Sequence, residues 1–248
     1  MEYFFYTEKD LPGGVGIPLF GSEHRIWLGL SLIVLAAVCL TARHLTERKL
    51  TVLRRALCVS IFSSELLRFS MMLHAGYPIV EVLPLHMCGL SIFVILWHVL
   101  TGSELAAELM YCLGMPGALS ALLFPNWLNY PVYSLLSINS VFAHIIITGY
   151  ALVLISSGIL SPQVRRLPRC AACLAGVAVP IYVFNKLTGM NYFFLNWPSE
   201  GSPLLIFGDL LGNPGYLLGF IPMLTAVWLV LYLPIVIAKR KKGKKTHG

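Results

Sequence analysis

Charge is what this sequence has least of. Asp, Glu, Lys and Arg together make up 12% of its 248 residues, about half the share found in soluble domains. That excludes a charged shell able to keep a globule of this size in water. Cysteine occurs as six scattered residues, Cys39, Cys58, Cys88, Cys112, Cys170 and Cys173, inside or at the ends of apolar runs. Such a pattern is no secreted disulfide framework. Cys170 and Cys173 have CxxC spacing, but one pair supplies only half a zinc site, so no metal site is expected. No internal repeat is evident, and with it goes the usual sign of an inverted-repeat transporter. No basic segment precedes the first apolar run. Met1 to Gly21 is acidic and contains Gly and Pro, so a cleaved signal peptide is not expected. The net charge of +7 does not imply a nucleic-acid partner, because Lys and Arg fall in short clusters between apolar stretches.

Apolar residues are abundant: 57% of the chain is hydrophobic and the mean hydropathy is +0.78. Stretches of about 20 apolar residues mark membrane helices. Seven are expected, near His24–Thr41, Leu50–Leu73, Leu83–Leu100, Leu105–Phe124, Pro131–Leu160, Leu167–Lys186 and Pro214–Ala238. The second is the least apolar, since it contains Arg54, Arg55, Glu65 and Arg68. The fold class is therefore all-α: a polytopic bundle of about seven transmembrane helices in a single domain over 1–238, followed by a basic tail at 239–248. Arg43, Arg48, Lys49, Arg54 and Arg55 crowd the first link, and Arg165, Arg166 and Arg169 the fifth. The tail carries a further basic run, Lys239-Arg240-Lys241-Lys242. Alternate links hold almost no Lys or Arg, so the positive-inside rule predicts an external N-terminus and a cytoplasmic C-terminus in the cell membrane. The long connection from Leu187 to Asn213 is too apolar for a free linker and is expected to fold back onto the outer end of the bundle.

Polar groups inside a bilayer are costly and tend to mark function. Leu83-Pro84-Leu85-His86-Met87-Cys88 places a histidine and a cysteine at the mouth of the third span. Pro84 fits the first turn of that helix. His86 and Cys88 would then point about 200° apart, so a base for Cys88 should come from another helix. On the fifth span Tyr133, Ser137, Ser140, His144 and Thr148 recur at intervals of three or four, a polar stripe on one face. His144 is the candidate partner, although it lies roughly 15–20 Å below Pro131, deeper than Cys88 lies below Pro84. Glu65 and Arg68 share a face of the second span, and Arg68 can hold a phosphate. Asn139, Asn185, Asn191 and Tyr192 supply further hydrogen-bonding groups. Glu104 and Glu108 at the start of the fourth span are explained by the helix dipole, and Met115-Pro116-Gly117 suggests a bend there.

The LPLHMC stretch resembles the LPLHxC signature of the YwaF-like integral membrane proteins, bacterial relatives of the vertebrate transmembrane protein 164 family. Phe20-Gly21-Ser22-Glu23-His24, Phe124-Pro125 and His144 match as well. Asn185-Lys-Leu-Thr-Gly189-Met-Asn191-Tyr192-Phe-Phe-Leu195 is similar to the family's N-x₃-G-x-NYxFL pattern. The resemblance covers nearly the whole chain. It implies a phospholipid acyltransferase in which Cys88 is the nucleophile, forming an acyl intermediate, and His144 its partner. His86, Arg68, Asn139, Asn185, Asn191 and Tyr192 are then the candidate substrate-binding residues. The expected partner is a membrane phospholipid, and no cofactor is required if the acyl donor is itself a phospholipid. The alternative is a non-enzymatic transporter or lipid-binding membrane protein whose cavity is lined by the same groups. Haem ligation is a third possibility, disfavoured because only His144 lies deep in a span.

Overall fold

A computed structural model of the chain describes residues 3–125, 127–199 and 202–245, with side chains described up to 238. Of the basic tail expected at 239–248, residues 239–245 continue the last helix, and 246–248 lie outside the described residues. Among these residues the secondary structure is entirely helical. Two compact units divide at Ser161 and Pro162.

The first unit holds α1 (Ser22–Ala42), α2 (Glu47–His74), the single turn α3 (Ile79–Val82), α4 (Met87–Thr101), α5 (Glu104–Leu123) and α6 (Leu135–Ser156). The second holds α7 (Leu167–Thr188), α8 (Leu204–Gly215) and α9 (Phe220–Lys245). Six segments are long and apolar enough to cross a membrane, the last of them running from Leu204 to Ala238. The seventh, α4, has 15 residues, about 22 Å at 1.5 Å per residue. Together they correspond to the seven expected spans.

The helices are built inside out relative to soluble ones. On α1 the buried residues are His24, Ser31, Leu35 and Ala42, on one face, while Ile26, Leu30, Leu32 and Ile33 are exposed. In a bilayer that arrangement puts the apolar side chains against lipid and the polar ones against protein. α6 is the central element: 12 of its 22 residues are buried, and it packs against α1, α2, α4 and α5. Ser134 starts it as an N-cap, its hydroxyl accepting the Ser137 N–H at 3.1 Å. In α5 a π-helical turn at Met110–Gly114 precedes Met115-Pro116. Pro116 has no N–H for the carbonyl one turn back, and a widened turn absorbs the mismatch.

Three boundaries depart from expectation. Pro84 is not in the first turn of α4; His86 is the N-cap, and Leu83–Leu85 lie in the preceding link. Cys88 is consequently the second residue of the helix. The fifth span begins at Leu135 instead of Pro131. The long connection is shorter than expected, because Leu204 onwards is already helical; Gly212 (φ 65°, ψ −172°) and Asn213 (φ −104°, ψ 125°) break the helix ahead of Pro214. Proline forces its predecessor into extended backbone, so position 214 marks an interruption within the span and not its beginning.

Candidate functional site

Polar groups of α6 form two seams, one of them outside the expected stripe. Asn139 accepts a hydrogen bond from Ser64 of α2 at 2.7 Å, and Tyr150 pairs with His98 Nδ1 of α4 at 2.6 Å. At 100° per residue these two lie within about 20° of each other, on the side of α6 that meets α2 and α4. Ser137, His144 and Thr148 lie within about 40° of one another on a different face. His144 is about 120° from Tyr150 and 140° from Asn139 around the helix.

His144 is buried, and its Nδ1–H donates to the Ser140 carbonyl at 2.6 Å. A carbonyl only accepts, so the proton is fixed on Nδ1, and in the neutral ring Nε2 presents a lone pair. Trp127, from the link between α5 and α6, stacks on the imidazole with centroids 5.0 Å apart and planes 21° apart. Nothing in sequence spacing pointed to this residue.

That link is strapped by the chain's own amino-terminal segment. Ile17 N–H donates to the Leu128 carbonyl at 2.8 Å, and Leu135 N–H to Phe4 at 2.8 Å. Glu8 N–H donates to the Tyr130 hydroxyl at 3.1 Å, and the Asn129 side chain donates to Glu8 at 3.0 Å. Burial pushes the Tyr130 phenol up to about 12, so it stays protonated there. Lys9 reaches the Gly76 carbonyl and lies over the Tyr77 ring. At Gly16 a Cβ would collide with the Leu128 carbonyl oxygen, so glycine is what allows the segment to lie this close.

Cys88 is half-buried at the start of α4. A Cβ on Gly89 would strike Pro84, so this glycine lets the Leu83–His86 link turn tightly onto the helix. Met87 packs against Gly117, and Ser91 against Gly114, of α5. The buried positions Ser91, Ile92, Ile95 and His98 define an arc with Cys88 near its centre. α4, α5 and α6 are packed neighbours joined by short links, so α4 and α6 run the same way. Counting ten residues back from the His98–Tyr150 pair sets Cys88 level with Ser140, one turn, or about 6 Å, from His144. The apparent difference in depth is thus mostly an effect of where each helix begins. No hydrogen bond joins Cys88 to His144 among the described residues; Cys88 follows the α4 side of α6, and His144 sits around the helix from it.

Arg68 of α2 donates to Glu65 at 2.9 and 2.5 Å and to the Val82 carbonyl at 2.6 Å. It ties α2 to the turn that leads into the Cys88 segment. His86 lies in that segment as the N-cap of α4.

In the second unit Asn185, Asn191 and Tyr192 come together, joined by Asn196. Asn185 is fully buried; its Nδ2 donates to the Tyr192 carbonyl at 2.8 Å and its Oδ1 accepts the Tyr192 N–H at 3.1 Å. Asn196 donates to the Asn185 carbonyl at 3.1 Å. Asn191 Oδ1 accepts from the backbone of Asn196 and Trp197, and Tyr216 donates to the Phe194 carbonyl. These carboxamides fold the loop back onto the end of α7, and the NYFFL stretch is where that loop turns.

Buried helices with apolar outer faces, a central helix carrying histidine, and a cysteine at a helix mouth define a polytopic helical membrane protein with polar groups inside its first unit. The sequence matches the TMEM164 family over residues 19–232, and the chain belongs to that family. No match was found among curated proteins or among solved structures.

Proposed function

We propose that the protein is a membrane phospholipid acyltransferase working through an acyl-cysteine intermediate, in the cell membrane with its N-terminus outside and its C-terminus in the cytoplasm. The observation that supports this most directly is the tautomer of His144, whose Nδ1–H is committed to the Ser140 carbonyl, leaving Nε2 to take a proton. The Cys88 thiol gives its proton to Nε2, and sulfur attacks the ester carbonyl of a phospholipid. The tetrahedral intermediate collapses, the ester C–O bond breaks, and the departing lysophospholipid oxygen recovers the proton. A second alcohol then resolves the thioester by the reverse sequence. Direct proton transfer needs the thiol and Nε2 within hydrogen-bond reach or one water apart, so the turn and angular offset between them must close, or be spanned by a water, once the lipid is bound. Arg68 reaches a lipid phosphate only by exchanging Glu65 for it, while His86 flanks the nucleophile. Asn139, Asn185, Asn191 and Tyr192 serve the reading as framework, holding α2 to α6 and the loop to α7.

The test is intact-protein mass spectrometry of detergent-purified protein incubated with phospholipid. A hydroxylamine-sensitive acyl adduct is expected in the wild type and absent in Cys88→Ala. No adduct in the wild type would sink the acyltransferase and leave the binding or transport alternative.

A further inference from the structure

We propose that Arg54 of α2 seats the phosphate of an anionic phospholipid from the cytoplasmic leaflet. The site is separate from Cys88 and does not depend on acyl transfer; only the leaflet follows from the orientation proposed above. Between Arg43 and Arg55 the chain holds five Arg and Lys residues and one acid, Glu47. Arg43, Arg48, Lys49 and Arg55 are exposed, as topology anchors are. Arg54 is placed differently. Leu50, Arg54 and Cys58 follow one another at intervals of four, along one face of α2, and Leu50 and Cys58 are buried. An arginine that served only to fix orientation has no reason to point into the bundle.

Its guanidinium is under-used. Nη2 donates to the Thr51 hydroxyl at 3.3 Å, while Nε is buried and has no hydrogen-bond partner. Among the described residues Arg54 forms no ion pair. α2 packs against α4 and α6, and the Arg54 charge acts on His98 of one and Tyr150 of the other. Those two are bonded to each other and are ordinarily neutral at pH 7, so neither supplies a counter-charge. Buried N–H donors are nearly always satisfied, and Nε with Nη2 forms the edge that grips two phosphate oxygens at once. An anion with paired oxygens is the partner this edge lacks.

Depth selects a lipid as the source of that phosphate. α2 has 28 residues, about 42 Å, against a hydrocarbon core of about 30 Å. Arg54 lies about 10 Å from its start, near the boundary between acyl chains and headgroups. The bond to Thr51, one turn back, shows the side chain leaning towards the headgroups. One turn nearer the end of the bundle, Leu50 packs with Ala42 and Val153 in a buried cluster. This apolar plug closes the aqueous approach, which a free phosphate ion would have to take. Val52 and Val59 beside Arg54 are exposed, so a lipid phosphate enters sideways from the leaflet. The surplus of positive charge around the site favours a lipid with net negative charge.

The experiment is native mass spectrometry of the full chain, titrated in detergent with phosphatidylglycerol and with zwitterionic phosphatidylcholine. The wild type is expected to retain one phosphatidylglycerol at least about tenfold more tightly than phosphatidylcholine. Arg54→Gln should weaken that retention about tenfold or more, the loss of charged hydrogen bonds to one phosphate. Arg54→Lys keeps the charge but not the fork and should fall between. Arg165→Gln removes the same charge from an exposed position ahead of α7 and should match wild type. Cys88→Ala should also match it, because the His98–Tyr150 pair beside Arg54 lies ten residues, about 15 Å, along α4 from Cys88. Unchanged retention in Arg54→Gln, or in Arg54→Lys should the first variant not fold, overturns the inference. So does an equal loss in Arg165→Gln, which would make the attraction diffuse, or displacement of the lipid by millimolar inorganic phosphate.

Discussion

Asn185→Asp exchanges a single NH₂ for oxygen at a fully buried position, and the geometry around it fixes the consequence. The carboxamide now donates to the Tyr192 carbonyl and accepts from the Tyr192 N–H. A carboxylate keeps the second bond but turns an acceptor towards an acceptor at the first. A net hydrogen bond of about 1 kcal/mol is lost, and the stranded carbonyl adds about 1–3 kcal/mol. Left ionised, the buried charge adds to this; protonated, its O–H regains the bond but only at the cost of holding the acid neutral, so the total is about 3–5 kcal/mol. For a chain of this length each kcal/mol moves the melting temperature by roughly 2–4 °C, giving a fall of roughly 6–20 °C. Cys170 lies buried on the same helix, so thermal unfolding in detergent can be followed with a thiol-reactive dye. Melting within about a degree of wild type would show that Asn185 does not hold the loop, and its carboxamide would return to the list of ligand-binding groups.

Other consequences follow from the first unit. Glu65→Gln should release Arg68 from its ion pair and increase retention of anionic lipid in native mass spectra; unchanged retention would remove Arg68 from lipid recognition. Trp127→Phe should preserve most of the rate of Cys88 adduct formation, whereas Trp127→Ala should lower it up to about tenfold, because an aromatic stack is worth about 0.5–1.5 kcal/mol. Equal rates in the two variants would show that the stack does not position His144. Gly89→Ala should push Pro84 off α4 and slow adduct formation without preventing insertion, as read by the same mass measurement against expression level.

The apolar spans were legible because twenty-residue hydrophobic runs have few other uses, and even α2 was found despite its arginines, which cluster towards its ends. Proline was the main source of misplaced boundaries: Pro84 and Pro214 both suggested helix starts, yet one lies in a link and the other inside a broken span. His144 and its stripe were visible as a three-and-four spacing on one element. The second seam was not, because Asn139 and Tyr150 lie on another face of the helix and gain meaning only from Ser64 and His98 on other helices. The NYFFL stretch was recognised as a pattern, but a motif does not reveal that its asparagines bond to one another's backbones. Trp127 and the amino-terminal strap were missed altogether, since neither loop carries any periodicity.

The strap also imposes an order of events on biosynthesis. Glu8 is made well ahead of its partner Tyr130, which lies 122 positions later. The amino-terminal segment must therefore wait, already delivered to its side of the membrane, until α5 has crossed and the following link emerges beside it. Only then does Gly16 close against Leu128 and the Trp127 link gain its final shape. A bulky amino-terminal fusion would sit beside that closing step, so a carboxy-terminal tag is the sounder choice for purifying a competent protein.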